Sequence, residues 1–107
     1  MAALNIPKKI NILGREYVIR ENRELMTQFQ CFAMIYRGEC IIEYMPVGSK
    51  TVNNEIITQA MVMESFFHEI THGILHGLGR EKLNNDEGLV DSLGNAYYQV
   101  FRQMVKK

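Results

Sequence analysis

The sequence predicts an α+β domain in which a small antiparallel sheet packs on one long helix, with a second helix crossing it. Two observations carry that expectation. Apolar residues alternate in two short stretches of the first half, residues 10–20 and 31–45, as strands with one buried face require. From residue 55 onward the apolar spacing changes to threes and fours, the period of a helix.

Taken in order, "INILGREYVIR" places Ile10 and Ile12 before Gly14, and Tyr17 and Ile19 after it, which predicts a short hairpin. The polar stretch "ENRELMTQFQ" then leads to "CFAMIYRGECIIEYM". There β-branched and aromatic residues flank Arg37-Gly38, so a second hairpin is expected over 31–36 and 39–45. Pro46, Gly48 and Ser49 end the strands, and Asn53 or Asn54 is placed to cap a helix. Ile56, Ala60, Met63, Phe67, Ile70, Ile74 and Leu78 recur at helical spacing, predicting a helix over 55–78 closed by Gly77 and Gly79. A second helix is expected from Asn85 or Asp86 to about Met104, with Val90, Gly94, Tyr97 and Phe101 on one stripe.

With 107 residues, 47% hydrophobic and 22% charged, residues 1–107 are expected to form a single minimal domain built on one core. Twelve basic groups balance 12 acidic ones, which argues against binding nucleic acid or a membrane surface by charge. The apolar runs are too short to cross a bilayer, and "MAALNIPKK" has no apolar signal core. Two cysteines, Cys31 and Cys40, are too few for a disulfide framework, so a cytoplasmic protein with buried thiols is expected.

The chemistry concentrates in "FFHEITHGILHG", inside the longer helical pattern. His68 and His72 are four residues apart, so both imidazoles stand on one helix face and are able to hold one metal ion from the same side. Glu69 points about 100° away, where a general base reaches a water beside the metal without taking a coordination position. Zinc suits such a set, because imidazoles, tetrahedral geometry and one open position bring a water's pKa toward neutrality. A third ligand is needed, and Glu87 opens the second helix fifteen residues after His72. Asp91 comes one turn later, placed to accept the outer N–H of a ligating histidine. Gly94, lacking a side chain, lets this helix approach the first closely.

The pair H68-E-I-T-H72 and E87-G-L-V-D91 resembles the gluzincin metallopeptidase arrangement. Over residues 55–105, "SFFHEITHGILHGLG…DEGLVDSLGNAYYQVF" is similar to small phage and prophage proteins related to the ImmA/IrrE metallopeptidases. That resemblance implies a zinc peptidase with His68, His72 and Glu87 as ligands and Glu69 as base. It acts on a protein or peptide, which an edge strand over 39–45 is expected to align. Two other readings stay open. In the first, an alternative to the enzyme, the same scaffold is a regulatory binding module that keeps zinc mainly to hold its two helices together. A metal-dependent endoribonuclease frame begins at His72 and His76, but its third position is Lys82, whose ammonium does not ligate. His76 otherwise reads as a histidine at a helix C-terminus, and Glu64 as a solvated carboxylate. Tyr97, and less so Tyr98, is a candidate to supply a phenol to a developing oxyanion.

Overall fold

The computed structural model describes residues 6–105. Eight elements run in order: β1 (Lys9–Ile12), β2 (Arg15–Glu21), α1 (Arg23–Phe29), β3 (Ala33–Tyr36), β4 (Ile41–Tyr44), α2 (Gln59–Gly77), α3 (Glu81–Asn84) and α4 (Glu87–Val105). The first hairpin forms as expected. Ile12 pairs with Arg15 across a two-residue loop, Leu13-Gly14, in which both residues have positive φ (51° and 85°). That is the turn whose twist matches two antiparallel strands. Asn11 Oδ1 closes it by accepting from Gly14 N at 2.9 Å.

The sheet itself departs from the expectation of a purely antiparallel one. Its strand order is β1-β2-β4-β3, and β2 pairs with β4 in parallel, from Val18↔Ile41 to Glu21↔Tyr44. The cause is α1, the polar stretch that reads as a connection. Asn22 caps it by accepting from Leu25 N at 3.1 Å, and only Met26 is buried, too short a pattern to register as a helix. This helix turns the chain so that β3 runs back at the outer position and β4 fills the space between β3 and β2. The 39–45 strand is therefore interior and not an edge. Ile42 (0% exposed) and Glu43 (2%) point to opposite sides of β4, and both are covered. The edges are β1 and β3; both touch α2, and β3 packs against it more extensively.

Glu43 is a buried carboxylate with partners. Arg20, its register neighbour on β2, donates through Nε at 2.8 Å, and Asn22 donates through Nδ2 at 3.1 Å. Burial pushes its pKa up, but hydrogen bonds from Asn22, Arg20 and Tyr36 outweigh that and hold it below the ordinary glutamate value. A depressed carboxyl contributes stability above its unfolded pKa and loses it as pH falls through the folded one. Urea midpoints are accordingly expected to drop below about pH 4. Glu43→Gln is expected to be less stable at pH 7 by roughly 1–3 kcal/mol, with a flatter acid limb. Equal slopes in the two proteins would exclude Glu43 as the source of the acid sensitivity.

Two clusters make the core. Ile12, Tyr17, Ile19 and Ile42 of the sheet meet Phe66 of α2, while Met26, Met45, Ile57 and Val62 fill the space beneath α1 and the 46–58 segment. Helix α2 begins at Gln59 and not at residue 55, because Thr58 caps it, accepting from Met61 N at 3.3 Å. Residues 55–57 are drawn into extended pairing instead, with Ile57 N donating to Ser49 O and Lys50 bridging Ile56. Asn54 sits in a turn at φ 66°, so neither Asn53 nor Asn54 is the cap. The helix ends as expected, with Gly79 at φ 70° and Arg80 N bonded to Leu75 O. No helix among the described residues is long and apolar enough to cross a membrane.

Helix α4 lies on α2 through Val90, Gly94 and Tyr98. A Cβ on Gly94 would stand 2.9 Å from both N and Cα of His68, so the two backbones are as close as they are only because residue 94 is glycine. The inward tyrosine is Tyr98, whose ring lies 5.7 Å from Phe67; Tyr97 is 49% exposed. Four residues from Gly94 lead back to the helix contact, and three do not.

Candidate metal centre

Helix α2 presents His68 and His72 toward the start of α4, their ring centroids 4.9 Å apart. Asp86 accepts from Leu89 N at 3.1 Å and so starts α4 where its first residue, Glu87, faces both rings. Glu87 Oε2 lies 3.3 Å from His68 Nε2, and Glu87 Oε1 lies 2.9 Å from His72 Nε2. The three residues offer ligand atoms that lie within 4.8 Å of one another.

The outer ring nitrogens are also engaged. His68 Nδ1 lies 3.4 Å from Asp91 Oδ1, one turn after Glu87, where the sequence places it. His72 Nδ1 is held by Asn84, a residue that sequence reasoning missed. Asn84 is 2% exposed, and its Nδ2 donates to the His72 carbonyl at 3.1 Å. That bond fixes the amide orientation, so Oδ1 faces Nδ1 and must receive its proton. With hydrogen on Nδ1, His72 turns its Nε2 lone pair toward Glu87. Nε2 and Glu87 Oε1, 2.9 Å apart, are then placed to share one metal ion. Two imidazoles and one carboxylate form a donor set that suits zinc. Asn84→Ala is expected to lower zinc affinity about 10–100-fold while leaving stoichiometry unchanged, measured by calorimetric titration. Wild-type affinity in that variant would mean that Asn84 does not orient the ring.

Glu69 is turned the other way, toward the sheet. Its Oε1 accepts from the Ile35 amide on the open edge of β3 at 3.0 Å, and its Oε2 lies 3.9 Å from His68 Nε2. Burial pushes its pKa up. The imidazoles of His72 and His68 and the Ile35 hydrogen bond pull it partly back, and Glu87 adds a little to the rise.

Two cavities meet at this carboxylate. One, of about 430 Å³, is bounded by Ala33, Glu64, Ser65, His68 and Asp91. The other, of about 380 Å³, lies toward Ile35, Arg37, His72 and Glu87. Glu69 lines both, so a groove runs along β3 with this carboxylate at its waist.

Not every candidate joins the group. Tyr97 is on the outer side of α4 and lines neither cavity. His76 Nδ1 pairs with Glu81 at 2.9 Å, and Glu81 also lies 3.7 Å from Arg37, so this histidine braces α3 and stands apart from the triad. Glu64 is exposed at the mouth of the larger cavity. Cys31 and Cys40 are free thiols, partly buried. Cys31 borders the groove, and burial beside Glu69 pushes its pKa up. Cys40 accepts from Arg15 at 3.0 Å. In comparisons with family models, curated proteins and solved structures, the chain matches none.

Proposed function

We propose that the chain is a gluzincin-type zinc peptidase, with His68, His72 and Glu87 holding the ion and Glu69 acting as general base and acid. The observation that carries this reading is the position of Glu69: a partly buried carboxylate between the histidines and the open edge of a strand, at the waist of a groove. Zinc, when bound, supplies Lewis acidity that polarises a carbonyl and stabilises charge developing on its oxygen.

The chain's own residues do the rest. An extended peptide lies along β3 as an added strand, pairing with outward backbone groups other than Ile35 N, which Glu69 holds. Glu69 Oε1 is anchored on Ile35 N, which leaves Oε2 to take a proton from the attacking water and pass it to the leaving amine. Its raised pKa suits both halves of that transfer. Asp91 and Asn84 hold the two imidazoles in register.

A zinc-stabilised binding module without catalysis is the second reading, and one observation favours it: the Glu69–Ile35 hydrogen bond also ties α2 to the sheet, a use that needs no chemistry. The two are separated by incubating zinc-loaded protein with a mixture of random peptides and sequencing the products by mass spectrometry. Peptidase action produces new termini that vanish when the metal is chelated. Identical peptide mixtures before and after incubation would leave only the binding module.

A further inference from the structure

We propose that a third cavity, beyond the N-terminal end of β3, binds an apolar side chain of the peptide three to four residues from the bond beside Glu69. This inference rests on the reading of β3 as the peptide-aligning edge. The cavity holds about 180 Å³; its walls are apolar at Met26, Cys31, Phe32, Met45 and Val52, and polar side chains of α1 and the 51–55 segment complete them. Cys31 and Phe32 also line the larger cavity beside His68 and Glu69, so the two cavities adjoin at these residues.

Spacing fixes which residue of the peptide arrives there. Ile35, the strand residue bonded to Glu69, is three residues from Phe32 and four from Cys31. A strand rises about 3.3 Å per residue, so a peptide paired with β3 reaches the cavity roughly 10–13 Å from the reacting bond. A Leu, Met or Phe side chain at that position then drops between the walls.

The lining selects the chemistry. Met26 and Met45 form the floor and are 0% and 2% exposed, while Val52, 60% exposed, stands at the lip. Thioether side chains adapt to ligands of different outline. An apolar cavity of about 150 Å³ is enough for a benzene ring, so this volume accommodates leucine or phenylalanine. Glu55 lies on the polar rim and disfavours an acidic side chain.

The test uses the full chain with ¹³C-labelled methionine methyls, and needs neither metal nor turnover. Titration with N-acetyl-leucine amide or N-acetyl-phenylalanine amide is expected to shift the Met26 and Met45 methyl resonances saturably, on the order of millimolar, and N-acetyl-glutamate amide to leave them in place. Val52→Asp, at the exposed lip, is expected to weaken the leucine response several-fold with an unchanged circular dichroism spectrum. A capped peptide with leucine at one end of a Gly-Ser tract should bind more tightly and also move the Ile35 amide resonance. Methyl resonances that do not move, or that move equally with glutamate, overturn the proposal, as does a peptide that shifts the methionines without Ile35. If both sets move and zinc-loaded protein cleaves nothing, the peptidase reading falls and the side-chain site stands.

Discussion

Glu69→Gln is expected to bind zinc as the wild type does and to lose peptide hydrolysis by about 10²–10⁴-fold or more. The substitution separates the two jobs of this side chain. Glutamine keeps an acceptor for the Ile35 amide, so the tie between α2 and β3 survives. It also spares the groove a carboxylate whose charge is disfavoured by burial, so thermal stability should not fall. What glutamine lacks is a basic oxygen to accept a proton. Glu69→Ala is the companion variant: it removes both jobs, and is expected to cost about 1 kcal/mol of stability besides activity, because the part-buried Ile35 amide loses its acceptor. The readouts are zinc content, melting temperature and product formation. Undiminished cleavage by Glu69→Gln would exclude Glu69 as the base.

Gly94→Ala is expected to have the largest structural effect of any single added methyl. Two terms oppose one another. Alanine in a helix interior gains about 1 kcal/mol over glycine in propensity. Against this, the new Cβ would meet His68 N and Cα at 2.9 Å and the Phe67 carbonyl carbon at 3.2 Å, all backbone atoms that have no rotamer by which to retreat. Overpacking of this kind typically costs about 1–3 kcal/mol, and here it is relieved only by moving α4 off α2. We expect a net loss of up to roughly 2 kcal/mol, or up to about 15 °C in melting temperature. Glu87 and Asp91 ride on α4, so zinc affinity should fall with it. Gly88, on the same helix, would meet nothing closer than Asp86 Oδ1 at 3.5 Å, and Gly88→Ala is expected to be neutral or stabilising. A stabilised Gly94→Ala protein would be incompatible with the close helix contact.

The parts of the fold that the sequence makes legible are those set by local pattern. The first hairpin is written in alternation around Gly14, and α2 in a run of apolar residues at helical spacing. Strand order is not local. Nothing in "CFAMIYRGECIIEYM" says whether its first or second strand lies beside β2, and the answer depends on α1, whose single buried residue leaves no period to read. At the site, His68, His72, Glu87 and Asp91 are placed by helical spacing alone, and Gly94 marks where the helices touch. Tyr97 and Tyr98 differ by one position, about 100° around a helix, and only the crossing with α2 decides which turns inward. Asn84 carries no signal, because its task comes from the placement of a four-residue helix that has no amphipathic pattern.

The peptidase reading depends on His68, His72 and Glu87 holding one zinc ion, and titration of metal-free protein with zinc decides whether they do. One zinc per chain is expected, with a melting temperature that rises with free zinc, as binding to the folded state requires. His68→Ala, His72→Ala and Glu87→Ala should each weaken binding by at least an order of magnitude, whereas His76→Ala, outside the triad, should leave it unchanged. No zinc uptake, or uptake equally tight after His72→Ala, would refute the metal centre.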